Sequence, residues 1–185
     1  PTRRSSDLYM VHKPELRVNA LYLDLLQHIA TAQKRIVMVT PYFLPPLRLR
    51  VALQLARRRG VRVTVLVSDE TDVPLADRVG RSYFPMLLDM GLELLLYKGT
   101  VMHAKYSIID GTWATIGSTN LDYLSLLYNR ETNLVVEDPS LIAALETQFR
   151  HDSKQAARAT RKSWSRQSWL YRLIGRAGRF LRHMM

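Results

Sequence analysis

Two short runs constrain this chain most: RIVMVT at residues 35–40 and VRVTVLVS at residues 61–68. The second alternates and then turns into a β-branched apolar run, the pattern of a strand covered on both faces. Between them LRLRVALQLARRR (47–59) has the period of an amphipathic helix and is stopped by Gly60. The same alternation continues on both sides. Asn19 can cap a helix in which Leu21, Leu25, Leu26 and Ile29 share one face. ADRVGRSYFPMLLDMG (76–91) reads as a helix with a proline interruption and a glycine stop, and LELLLY (92–97) as the next strand. Residues 101–109 and 113–118 are two further strands around Asp110-Gly111, a pair whose turn geometry needs positive φ at both positions. TNLVVED (132–138) is a last strand, and Pro139-Ser140 opens a helix to about residue 151. Strands separated by helices predict an α/β sandwich, and the hairpin makes its sheet mixed.

Charge is distributed unevenly. The net charge is +11, from 27 Lys and Arg against 16 Asp and Glu. Residues 153–185 hold 9 of the basic groups and no acidic one, so the remainder carries 18 against 16 and is nearly neutral. That argues against a nucleic-acid-binding body and moves the basicity to one tail. The 185 residues contain no cysteine, which excludes a disulfide framework and a thiolate metal site. No apolar run approaches the roughly 20 residues that span a bilayer. The first eight residues, PTRRSSDL, have no apolar period and match one reading frame of a widely used sequencing adapter. They are expected to be non-native, and the chain to be a truncated product.

The chemistry concentrates in VMHAKYSIIDGTWATIGSTN, residues 101–120. Strand alternation predicts His103, Lys105 and Ser107 on one face and Met102, Ala104, Tyr106 and Ile108 on the other. An imidazole beside an ammonium suits phosphate: lysine neutralises non-bridging oxygens, and histidine attacks phosphorus or moves a proton. Across the hairpin Gly117 would let backbone approach a ligand, and Ser118 and Asn120 offer short polar groups to the same oxygens. A bare His-x-Lys is more often a solvated strand face; the Gly-Ser-x-Asn cluster at hairpin distance is what tips the balance. Asp110 opens the turn and is read, with Gly111, as structural.

HAKYSIID, six residues and then GSTN resembles the HxK(x4)D(x6)GSxN signature (the HKD motif) of the phospholipase D superfamily, with every fixed position matched. The resemblance implies a phospholipase D-like α-β-α sandwich half with a mixed β-sheet. It implies phosphodiester transfer through a phosphohistidine, with no metal and no cofactor. It makes His103 catalytic, has Lys105, Ser118 and Asn120 bind phosphate, and puts Glu131, on the following strand, against the histidine. Such a partner fixes the tautomer and stabilises imidazolium. The superfamily uses two motifs facing each other, and this sequence has one. His12, His28, His151 and His183 lack a lysine two residues on and are read as surface or packing groups. A second copy or a missing N-terminal half must therefore supply the other HKD motif.

The flanks, including IVMVTPYFLPP and GSTNLDYLSLLYNRETNLVV, resemble the C-terminal half of bacterial cardiolipin synthases from about Asn19 onward. Homodimeric nucleases of the superfamily usually follow GSxN with an aromatic residue and Thr or Ser, whereas Leu121-Asp122 stands here. This resemblance implies transfer from phosphatidylglycerol to form cardiolipin and glycerol, with His103 as the general acid and base. It also implies a location peripheral to the bacterial inner membrane. The alternatives are a homodimeric endonuclease or phosphodiesterase and an inactive single-motif fragment. The expected organisation is a catalytic half-domain at 19–160 and a basic amphipathic C-terminal helix at 161–185. Trp164, Trp169, Arg172, Arg176, Arg179, Phe180 and Arg182 form its membrane-contact set. Packing of that helix on the protein body is the competing reading.

Overall fold

The computed structural model describes residues 8–12 and 19–165. Ten strands and seven helices alternate along them: β1 (Leu8–His12), α1 (Ala20–Thr31), β2 (Arg35–Thr40), β3 (Phe43–Leu44), α2 (Leu47–Arg58), β4 (Arg62–Ser68), α3 (Pro74–Arg81), α4 (Phe84–Asp89), β5 (Glu93–Tyr97), β6 (Tyr106–Ile109), β7 (Trp113–Gly117), β8 (Leu121–Asp122), α5 (Tyr123–Leu127), β9 (Glu131–Val136), α6 (Pro139–Lys154), β10 (Ala156–Arg158) and α7 (Arg161–Ser165). Eight strands make one sheet in the order β1-β9-β7-β6-β2-β4-β5-β10. β2, β4 and β5 run parallel, joined by helical crossovers, and the other neighbours pair antiparallel. The sheet is mixed, as the helix-strand alternation and the hairpin together predict.

Alternate side chains of the strands feed two cores. Ile36, Met38, Val63, Val65 and Leu94 pack with Leu21, Leu25, Leu49, Leu53, Phe84 and Leu87 of α1, α2 and α4. On the other face Val37, Val39, Leu66, Tyr106 and Ile108 pack with Ile142 and Leu145 of α6. Each face of the sheet therefore has its own helical layer, which defines an α-β-α sandwich. Asn19 caps α1 by accepting from the Tyr22 amide at 2.9 Å, and its Nδ2 donates to Leu126 O at 2.6 Å. His28 stacks on Trp113 at 4.4 Å between ring centroids, a packing role in keeping with its lone position in the sequence.

Four differences from the sequence reading have physical causes. β1, a short edge strand, was not anticipated: its partner β9 lies more than a hundred residues away, and Leu8, grouped above with the adapter-like start, pairs with Val135. The helix read at 76–91 is two helices, α3 and α4, because Pro85 starts a new helix at its first turn. The strand read from 101 begins only at Tyr106, where its pairings with Val39 of β2 and Ile116 of β7 stop. The small parallel pair β3–β8 joins residues some 80 positions apart and carries no local signal. The start of the tail forms α7, which lies against α4 through an ion pair between Arg161 and Asp89. Trp169, Arg172, Arg176, Arg179, Phe180 and Arg182 lie outside the described residues. Among the described residues no helix is long and apolar enough to cross a membrane.

The β6–β7 hairpin turns through Asp110 at φ 54° and Gly111 at φ 73°, both positive as the Asp-Gly pair predicts. The Asp110 carboxylate also reaches across to the start of β2. It accepts from the backbone N–H of Gln33 at 2.7 Å and of Lys34 and Arg35 at 2.8 Å each. Partial burial pushes this carboxyl upward, but the three backbone donors outweigh burial and hold it below the usual carboxylate range. Its contribution to stability is therefore present above the unfolded value of about 3.9 and is lost as pH falls through the lower folded value. Asp110→Asn, which keeps the shape and tolerates positive φ, is expected to cost about 1 kcal/mol at pH 7 in urea denaturation. The gap to the parent should close on acidification below that range; a constant gap would contradict the assignment.

Candidate active site

The signature residues converge at one end of the central strands, where β2 and β7 end and β6 and β9 begin. His103 and Lys105 precede β6 in an irregular segment held from behind: Met102 N–H donates to Ser68 Oγ at 3.0 Å, and Gly117 N–H donates to Lys105 O at 3.2 Å. His103 is exposed and Lys105 is buried. The Lys105 ammonium lies 3.1 Å from His103 Nδ1 and donates to His103 O at 2.7 Å. An ammonium facing Nδ1 meets a lone pair there, which leaves Nε2 as the protonated nitrogen of a neutral ring. Burial lowers the Lys105 pKa, and the carboxylates of Glu131, Asp72 and Asp122 pull it back up.

The second half of the signature follows β7. Ser118 Oγ donates to Glu131 Oε2 at 2.5 Å and accepts from Thr132 N–H at 3.0 Å. Glu131 Oε1 accepts from Asn129 Nδ2 at 3.5 Å. The resemblance implies that Glu131 accepts from His103; in the structure it accepts from Ser118, and Lys105 stands against the histidine's Nδ1. Asn120 donates to Asp122, and its Oδ1 is buried without a hydrogen-bond partner. Asp122 caps α5 by accepting from Ser125 N–H at 2.8 Å, and burial raises its carboxyl pKa. Gly117 has a different job from the one read in the sequence. A Cβ there would stand 2.2 Å from Thr132 O and 2.6 Å from Asn133 Cα, so the space belongs to strand β9 and not to a ligand. Ser107 is buried behind the site, in the same row as Lys105.

Three supports carry no motif. Asn133 is buried on β9; its Oδ1 accepts from Thr119 N at 3.2 Å and Thr119 Oγ1 at 2.7 Å, and its Nδ2 donates to Thr115 Oγ1 at 2.9 Å. This network fixes the backbone between Ser118 and Asn120. Tyr42, just past β2, donates its hydroxyl to Asp72. Burial and then the Asp72 carboxylate push the Tyr42 phenol up to about 12. Asp72 itself is held below the usual carboxylate range, first by the Tyr42 hydroxyl and also by the charge of Lys105. Arg81, buried on α3, pairs with Asp77 of the same helix at 2.5 Å and anchors the loop before α3 through Asp69 at 3.1 Å. A polar residue inside an apolar strand was the available signal for Asn133; Tyr42, Asp72 and Arg81 had none.

A mixed sheet between helical layers, with a His-x-Lys and a Gly-Ser-x-Asn meeting at the ends of its central strands, defines a phospholipase D-like domain. The family model described as "Cardiolipin synthase, PLD-like domain" matches residues 25–153, and the chain belongs to that family. It is 41% identical over 128 residues to the Bacillus subtilis protein named "Probable cardiolipin synthase YwiE", covering 69% of this chain and 26% of that protein. It is 32% identical over 164 residues to cardiolipin synthase B of Salmonella typhi, covering 85% of this chain and 39% of that protein. The chain thus spans well under half the length of these relatives. In fold it resembles Nuc, a phospholipase D family member from Salmonella typhimurium, with a TM-score of 0.69 and 20% identity over 83% of this chain and 99% of that one. It also resembles phosphatidylserine synthase from Haemophilus influenzae, with a TM-score of 0.74 and 17% identity over 96% of this chain and 45% of that one.

The lowered Lys105 pKa fixes the sign of a stability effect. The fold binds this proton less tightly than the unfolded chain does, so the ammonium destabilises the fold at neutral pH. That penalty disappears as pH rises from the folded value to the ordinary lysine value. Lys105→Met is therefore expected to melt no lower than the parent at pH 7, yet to lose inorganic-phosphate binding in calorimetric titration. A lower melting temperature with phosphate binding retained would contradict both parts.

Proposed function

We propose that this chain supplies one histidine of a two-histidine phosphatidyl-transfer site that converts phosphatidylglycerol to cardiolipin and glycerol. The observation that carries the reading is the Lys105–His103 pair meeting the Ser118–Asn120 segment at the ends of the central strands, in a chain of the cardiolipin synthase family. A second HKD motif, from an N-terminal half or a second copy, provides the nucleophile. Its imidazole nitrogen attacks the phosphorus of phosphatidylglycerol, and the bond from phosphorus to the glycerol oxygen breaks. His103 gives that oxygen its proton, and glycerol leaves. The hydroxyl of a second phosphatidylglycerol then returns a proton to His103 and attacks phosphorus. The nitrogen–phosphorus bond breaks, and cardiolipin is released.

Lys105, Ser118 and Asn120 hold the non-bridging oxygens through both displacements, which adds the most when charge is greatest in the transition state. Glu131 acts on Ser118 in the free site and is the group that takes up the imidazolium when His103 is protonated. The basic tail, with Trp164 in α7 and the remaining contact residues beyond it, holds the enzyme on an anionic membrane surface, peripheral to the inner membrane. A second reading, two copies pairing their single motifs as a phosphodiesterase, is supported by the near-complete coverage of the Salmonella Nuc chain by this fold.

The chain, alone and mixed with a protein carrying the complementary motif, should be assayed on phosphatidylglycerol vesicles with cardiolipin read by mass spectrometry, and on single-stranded DNA. His103→Ala is expected to reduce cardiolipin formation by about 10³-fold. Cleavage of DNA by the unmixed chain, with no lipid product in either case, would favour the second reading. Activity that survives His103→Ala would remove His103 from the mechanism.

A further inference from the structure

Helix α2 has two apolar rows on different sides. Leu49, Leu53 and Ala56 are completely buried in the first core, whereas Leu47, Val51 and Leu55 are 62%, 44% and 48% exposed. Their four-residue spacing sets the exposed three in line along the helix. A helix that only covers a sheet puts its apolar positions on the core side and charge on the other. Three aliphatic side chains in an open row are a patch that calls for a partner.

The charge around the row indicates the kind of partner. Residues 47–62 contain Arg48, Arg50, Arg57, Arg58, Arg59 and Arg62 and no Asp or Glu. Arg57 and Arg59 are turned partly inward, donating to Val61 O at 2.7 Å and Ile29 O at 2.8 Å. Arg48, Arg58, Arg59 and Arg62 are exposed. The row also begins at the catalytic end of the sheet: Leu47 follows β3, which pairs with β8 directly after Asn120. Val73 and Leu75, 43% and 67% exposed, follow Asp72 in the chain.

We propose that α2 is a second lipid-contact surface. Leu47, Val51 and Leu55 enter the headgroup–acyl boundary of an anionic bilayer while Arg48, Arg58, Arg59 and Arg62 meet lipid phosphates. This rests on the phosphatidyl-transfer reading, and it turns the open end of the site toward the surface that holds its substrate. The nearest segment of the chain, the tail after α7, is a poor cover for the row. α7 lies beside α4, and α4 touches α2 through Met86 and Arg50, but residues 161–185 carry no acidic group. Packing the tail on α2 would set cations against cations, as would a second copy of α2. Nucleic acid would satisfy the arginines and leave the aliphatic row without a partner. An anionic bilayer satisfies both, and it accommodates the tail on the same plane.

The chain has no cysteine, so a single introduced one reports cleanly. Full-length chain carrying Val51→Cys labelled with a polarity-sensitive fluorophore should shift to the blue on phosphatidylglycerol vesicles and stay unchanged on phosphatidylcholine. The same dye on Ala143→Cys, exposed on α6 across the sheet, should not respond. The triple variant Leu47→Ser, Val51→Ser, Leu55→Ser should melt with the parent and partition onto anionic vesicles about tenfold more weakly. A dye at residue 51 that is already shielded without lipid would assign the row to the tail. Shielding that grows with protein concentration would assign it to a second copy, and an equal response to both lipids would remove the anionic requirement. Each of these overturns the proposal. His103→Ala should bind vesicles as the parent does, so a shift at residue 51 without phosphatidyl transfer by the parent refutes only the catalytic reading.

Discussion

The three hydrogen bonds that converge on the Asp110 carboxylate tie together the parts on which the rest of the molecule depends. They join the tip of the β6–β7 hairpin to the first residues of β2, so the antiparallel half of the sheet is registered against the parallel half. Sliding either by one residue would exchange the two faces of β6, taking Tyr106 and Ile108 out of the core under α6. It would also move Lys105 out of the row it shares with buried Ser107. A motif aspartate bonded to the backbone before β2 therefore sets the place of the histidine and lysine at the opposite end of the hairpin.

At that opposite end, close backbone approach takes over from charge. Gly117 allows Thr132 and Asn133 to press against β7, and Asn133 then holds Thr119 by both its amide and its hydroxyl. Ser118 and Asn120 flank that clamped residue, so the Gly-Ser-x-Asn segment is positioned by β9 from beneath. The same strand contributes Glu131 at its first residue. The charge of buried Lys105 is partly offset by carboxylates on three different segments, Glu131, Asp72 and Asp122, and none is adjacent to it in sequence. Such a site is organised around charge that is only partly compensated, in keeping with a place for an anionic group.

Much of the architecture could be read directly from local pattern. β2 spans the residues its apolar run marks, and α2 runs the length of its amphipathic stretch. Asn19, Asp110-Gly111 and Pro139 each mark a cap, turn or helix start that the backbone takes up. What escaped were features whose partners are distant. β1 and β10 are edge strands that exist only because β9 and β5 offer a free side. The β3–β8 pair, the Tyr42–Asp72 bond and the Arg81 anchor join segments with no periodicity in common.

The sequence by itself determined the chemistry: a His-x-Lys, an Asp-Gly turn and a Gly-Ser-x-Asn at fixed intervals, within a helix-strand alternation that leaves few folds open. Those are properties of residue type and local spacing, which side-chain chemistry and backbone torsion dictate without reference to the rest of the chain. Tertiary structure alone decided how these groups are used. It assigned Gly117 to the neighbouring strand, gave Ser118 to Glu131 and set Lys105 against His103 Nδ1. It also left Leu47, Val51 and Leu55 uncovered. Each of these depends on which distant surface arrives at a residue, and hydrogen bonds and burial are settled by that arrival.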